Sequence, residues 1–107
     1  MCKYILNAFS INMLNAFPLK VSFKEIALEE AQSILANHAP DSGVGHTDTA
    51  RVFGGLLGQP VNANRINVSL DAGDKALIGQ YKGPRLPEGA TSLPEGATIV
   101  WVVASVE

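Results

Sequence analysis

At 107 residues the chain has the length of one domain, and residues 1–107 read as a single unit with little room for a second. Its 47% hydrophobic content is enough for a packed core, and its net charge of −2 argues against a long nucleic acid, which is held through its phosphates by a basic excess. A small anionic ligand gripped by a few well-placed cations is not excluded. The single cysteine, Cys2, rules out an intrachain disulfide and a cysteine-based metal site. There is no basic start followed by a long apolar run, and no stretch near the ~20 apolar residues of a membrane span. The expectation is a cytoplasmic protein that engages no membrane.

Lys3–Leu6 reads as a short first strand. Asn7–Pro18 mixes polar and apolar residues without a period, and its Asn7, Ser10, Asn12 and Asn15 favour turns. Leu19, Val21 and Phe23 alternate with Lys20, Ser22 and Lys24, as in a half-buried strand. Ala27–Asn37 is rich in helix formers and places Leu28, Ala31, Ile34 and Leu35 on one face. His38–Gly45, punctuated by Pro40, Gly43 and Gly45, reads as a loop.

A second helix is predicted from His46 or Thr47 to about Leu57, with Thr47, Asp48 and Thr49 suited to a first turn and Gly58 to a stop. Ile66, Val68 and Leu70 alternate as a strand, Asp71–Asp74 makes a turn, and Lys75–Tyr81 returns as a further strand. Leu86–Thr91 and Leu93–Thr98 repeat the hexapeptide Leu-Pro-Glu-Gly-Ala-Thr, which reads as two consecutive turns. Thr98–Val106 is nearly continuous in β-branched and apolar residues, the signature of a central strand covered on both faces. The fold class is therefore α/β (α+β): a small mixed β-sheet of about five strands with helices packed on it.

Two histidines are candidates for chemistry. His38 reads as an exposed residue at a helix end. His46 lies in Gly-Val-Gly-His-Thr-Asp-Thr at a loop-to-helix junction. Glycine there lets a backbone approach a ligand, and a helix N-terminus attracts phosphate. A proton titrating near neutral pH would then meet a bound phosphate, although by chemistry alone a capping or structural histidine is the simpler reading.

Arg65 precedes a strand and Arg85 lies between Pro84 and Leu86. A guanidinium grips phosphate oxygens through two parallel hydrogen bonds, and each arginine is also explained by a surface ion pair. Glu88, three residues past Arg85, could hold that arginine, touch a sugar hydroxyl or be a solvated turn residue. Trp101 reads as core. His46 and Asp48 are too few ligands for zinc, and Asp71 with Asp74 lacks the spacing of a calcium loop. Neither metal nor cofactor is expected.

These residues fall in a recognisable pattern. Leu6-Asn7-Ala8-Phe9-Ser10-Ile11-Asn12-Met13-Leu14 resembles the N-terminal signature of the viral ring nucleases, an anti-CRISPR family directed at type III CRISPR defence. Gly45-His46-Thr47-Asp48-Thr49-Ala50 resembles its central motif, and Asn64-Arg65 and Arg85-Leu86-Pro87-Glu88-Gly89 resemble its arginine motifs. The match as a whole spans about residues 3 to 89.

The resemblance implies a homodimer on a twofold axis that binds cyclic tetra-adenylate and cuts it to linear di-adenylates. It implies His46, Arg85 and Glu88 as catalytic residues, with His46 the general acid. It implies ligand contacts from Asn7, Ser10, Asn12, Gly45, Arg65 and Arg85. The sequence departs from the family after Gly89, where the second hexapeptide copy replaces a longer, helix-like segment. Because Arg85 precedes only the first copy and Ser92 the second, the motif's acidic position falls to Glu88 rather than Glu95. The competing functional readings are a cyclic oligoadenylate sponge with little turnover and a nucleic-acid-binding regulator.

Overall fold

The computed structural model describes residues 2–107. Five strands form one mixed sheet: β1 (Cys2–Leu6), β2 (Val21–Ile26), β3 (Asp41–Ser42), β4 (Lys75–Lys82) and β5 (Thr98–Val106), in the order β2-β5-β4-β1-β3. Two helices, α1 (Leu28–His38) and α2 (Thr47–Leu57), precede and follow β3. This is the expected mixed α+β architecture.

β1, β3 and β4 run parallel, whereas β5 is antiparallel to both β4 and β2. The parallel trio decides where ligand chemistry can sit, because crevices in such sheets open at the carboxyl ends of parallel strands.

One face of the sheet carries the helices. Ile5, Leu77 and Trp101 are buried there with Ala31 and Leu35 of α1 and Ala50, Phe53 and Leu57 of α2. The Phe53 and Trp101 rings meet at 5.0 Å. They can do so because Gly79 of β4, the register partner of Trp101, has no side chain. A Cβ there would stand 2.6 Å from Phe53 and 2.7 Å from Trp101. Burying each such ring contributes about 1.5–3 kcal/mol.

Gln32 of α1 donates to the Leu56 carbonyl of α2 at 2.9 Å, tying the helices to each other. α2 ends as its sequence indicates, with Gly58 left-handed and its N–H on the Gly54 carbonyl.

The opposite face buries Leu6, Ala76, Ile78 and Ala104 under Tyr4, Phe9, Met13, Val21 and Val68. Here the structure corrects one expectation. Ile66–Leu70 is not a strand: apart from an isolated bridge between Leu14 and Leu70, it joins no ladder. Its apolar alternation instead covers this second face, with Leu70 buried, Val68 packed on the cluster and Ile66 exposed.

Three further corrections concern the ends of elements. The segment 38–45 is not all loop, since Asp41 and Ser42 pair with Tyr4 and Ile5 as β3. β2 starts at Val21, leaving Leu19 outside it. β5 lies between two strands, but next to the edge strand β2 rather than at the sheet centre. Trp101 is core, as expected.

His38 is half-buried rather than an exposed helix end, and its Nδ1 accepts the Cys2 backbone N–H at 2.9 Å. Beside it, burial pushes the Cys2 thiol pKa up, and the Lys75 ammonium offsets part of that rise.

Candidate functional site

Three chain segments leave the carboxyl ends of the parallel strands. Asn7 follows β1, the Gly43–His46 turn follows β3, and Gly83–Arg85 follows β4. Residues from two of these line one cavity of about 970 Å³. Its walls are His46, Asp48 and Thr49 from the start of α2, Tyr81 from the end of β4, and Gly83, Arg85, Leu86, Pro87 and Glu88 from the following loop.

His46 is the residue before the first helical residue of α2, with extended backbone, and its carbonyl accepts the Ala50 N–H at 2.9 Å. Its imidazole does not cap the helix. The simpler sequence reading of a capping side chain therefore fails, and the residue is left exposed at the cavity wall, at the N-terminus of α2. Asp48 lies within 3.8 Å of Arg51, a loose pair one turn along the same helix.

The opposite wall is set by turn chemistry. The Tyr81 hydroxyl donates to the Pro84 carbonyl and so fixes where the loop leaves β4. Gly83 lies at φ 150°, where a Cβ would meet Ala97 at 2.7 Å. Ala90 N–H then bonds the Pro87 carbonyl at 3.1 Å around Gly89 at φ 77°, a tight turn with Glu88 at its leading corner. The second hexapeptide folds the same way, with Ala97 N–H on the Pro94 carbonyl at 3.1 Å and Gly96 at φ 80°. Glu95 occupies the equivalent corner, but it is Glu88 that lines the cavity. No salt bridge joins Glu88 to Arg85 among the described residues, so of the three readings of Glu88 the one in which it holds that arginine is not met.

The structure thus brings together His46, Arg85 and Glu88, and adds Tyr81, Asp48 and Thr49, which sequence reasoning did not select. Asp48 and Thr49 belong to the same short motif as His46. Tyr81 has no local signal beyond ending a strand four residues before Arg85. The other selected residues lie off the cavity wall. Ser10 Oγ accepts the Asn12 N–H at 3.3 Å, opening a short 3-10 helix at Ile11–Met13. Asn7 is half-buried and Asn12 exposed. Arg65 Nε donates to the Gly45 carbonyl at 3.1 Å, which holds both residues behind His46. Among the described residues no three His, Cys, Asp or Glu side chains converge as a metal centre requires.

Residues 3–97, which include every residue named above at the cavity, match the STIV B116-like family. The chain belongs to that family. B116 of Sulfolobus turreted icosahedral virus superposes with a TM-score of 0.79 at 28% identity, covering 95% of this chain and 97% of that one. Protein 26 of Sulfolobus islandicus filamentous virus (isolate Iceland/Hveragerdi) is 36% identical over 86 residues, which is 80% of this chain and 72% of its own length. ORF117 of Acidianus two-tailed virus is 35% identical over 72 residues, 65% of this chain and 61% of its own. These relatives are viral proteins. Among the described residues of this chain, no helix is long and apolar enough to cross a membrane.

Proposed function

We propose that this B116-like chain is a ring nuclease that opens cyclic tetra-adenylate without a metal and thereby disarms type III CRISPR defence. The observation that carries the reading is that His46, whose imidazole does not cap its helix, lines one open cavity with Arg85 and Glu88 at a helix N-terminus. The match of four short motifs to the viral ring nucleases supplies the substrate.

RNA carries its own nucleophile, so the protein's task is to position it. The 2′-oxygen attacks the adjacent phosphorus in line, the P–O5′ bond breaks, and a 2′,3′-cyclic phosphate remains. His46 gives its proton to the departing 5′-oxygen. Arg85 bears on the charge that builds on the phosphoryl oxygens. Glu88, which shares the Arg85 wall of that cavity, accepts the 2′-hydroxyl proton. A twofold homodimer presents two such cavities to opposite phosphates of a symmetric ring, so that two cuts yield linear di-adenylates.

The test is incubation of the protein with cyclic tri-, tetra- and hexa-adenylate in the presence of chelator, with mass analysis of products, alongside the His46→Ala variant. The expected result is linear di-adenylate with 2′,3′-cyclic phosphate ends from the tetra-adenylate ring. His46→Ala is expected to cut at least about a hundredfold more slowly while still binding. Unchanged turnover in His46→Ala, or a requirement for added metal, overturns the mechanism. Product that stops at one equivalent per site identifies a sponge instead.

A further inference from the structure

His46 is held at the cavity by a turn whose anchorage lies elsewhere. Between Ser42, the last residue of β3, and Thr47, the first of α2, the chain makes a four-residue turn, and the segment Asn62–Arg65 runs beside it as a splint. Ser42 Oγ donates to the Asn62 carbonyl and accepts the Val44 N–H at 3.2 Å. Asn64 bonds the same turn twice, its backbone N–H to the Val44 carbonyl at 2.7 Å and its side-chain amide to the Ser42 carbonyl at 2.8 Å.

Those bonds fix the turn as far as Val44. The next residue, Gly45, has no side chain to pack, and its carbonyl accepts from Arg65 Nε at 3.1 Å. The arginine stem lies against it, its Cγ 3.5 Å from where a Gly45 Cβ would stand. Arg65 itself is absent from the cavity wall that His46 lines.

We infer that Arg65 is a positioning residue: through its Nε bond to the Gly45 carbonyl it sets the orientation of the peptide that carries His46 into the cavity. It acts on the reaction through His46 rather than as a cation bound to the phosphate. The inference rests on the ring-nuclease reading for its kinetic consequence but not for its structural one. A displacement of about 1 Å at a catalytic group is enough to cost about a hundredfold in rate, so a single well-aimed bond behind the histidine has a large lever.

Side-chain chemistry allows positioning to be separated from charge. Glutamine has an amide nitrogen at the same number of bonds from Cα as arginine's Nε, so Arg65→Gln keeps a donor at that place and discards the positive charge. Lysine puts a methylene there, so Arg65→Lys keeps the charge but removes the donor from the Nε place and carries it one bond further out. The experiment measures three things on the full-length wild type, Arg65→Gln and Arg65→Lys: cleavage of cyclic tetra-adenylate at saturating substrate, its Kd, and the ligand-free NMR signals of the Gly45, His46 and Thr47 amides and the His46 ring. Thermal midpoints of the three proteins serve as the folding control.

The expected result is that Arg65→Lys lowers the saturated rate at least tenfold with Kd changed little and shifts the His46 signals. Arg65→Gln is expected to recover most of the rate and to keep the wild-type signals. The reverse order, lysine active and glutamine inactive or weakly bound, overturns the inference in favour of a phosphate contact. Equal effects of the two variants also overturn it. If the wild type cleaves no ring, the ring-nuclease reading fails, while the ligand-free signals still decide whether the Nε donor orients His46.

Discussion

At the scale of single residues, Gly79 is tightly constrained by packing. It lies mid-strand in β4, where glycine ordinarily weakens a sheet. Here its missing side chain is what allows Phe53 of α2 to reach Trp101 of β5. Even a methyl group, 2.6 Å from one ring and 2.7 Å from the other, must push α2 away from the sheet. Gly79→Ala is therefore expected to lose about 1–3 kcal/mol, the usual cost of overfilling a packed core, seen as a lower urea midpoint with an unchanged slope. Because α2 also presents His46, cleavage should weaken with it. A midpoint equal to wild type would show that the rings are not locked together.

Residue-level features were unequally legible in the sequence. His46 is readable because its glycine-flanked turn and the Thr-Asp-Thr after it announce a helix start. The arginine-glutamate pair at Arg85 and Glu88 is readable by motif, but not the fact that the two share no salt bridge. His38 misleads because its partner, the Cys2 N–H, lies 36 residues away in sequence and no local pattern records it.

At the scale of elements, α1 is legible in helical spacing, β2 in alternation, α2 in its end signals and β5 in its unbroken apolar run, and the elements that escape do so for physical reasons. β3 has two residues and exists because Tyr4 and Ile5 offer it a parallel edge; two residues carry no period. Ile66, Val68 and Leu70 do carry the strand period, but alternation reports one buried side, not a hydrogen-bonded neighbour. Here the buried side is a cover for the sheet's second face.

The paired hexapeptide turns allow an internal comparison. Gly89 and Gly96 adopt nearly the same positive φ, and a Cβ at either would meet nothing within 4 Å. Alanine at either place therefore carries only the backbone penalty of about 1–2 kcal/mol, and the thermal midpoints of Gly89→Ala and Gly96→Ala should fall by similar amounts. Activity should separate them. Gly89 shapes the turn that sets Glu88 on the cavity wall, so Gly89→Ala should slow cleavage several-fold beyond Gly96→Ala at a temperature where both remain folded. Equal rates would mean that Glu88 does not act from that corner.

At the scale of the whole molecule, one chain supplies one His46 and the cavity it lines, whereas the proposed substrate repeats its phosphate four times around a ring. A fixed pair of cavities related by a twofold axis matches two opposite phosphates. It also makes a kinetic claim, because each cut then belongs to a different chain. Hybrid dimers of wild-type and His46→Ala chains, separated by a charge tag and used in excess over cyclic tetra-adenylate, isolate that claim in a single turnover. The intact dimer should pass quickly through the once-cut linear tetra-adenylate to di-adenylate. The hybrid should open the ring at about half the wild-type rate, since one of its two histidines remains, and then stall, because the opposite phosphate faces an alanine. Linear tetra-adenylate accumulating in the hybrid, and not in the wild type, is the outcome expected of two independent histidines. Di-adenylate formed without that pause would mean that a single His46 serves both phosphates, and sedimentation of the ligand-free protein at the mass of one chain would remove the pair altogether.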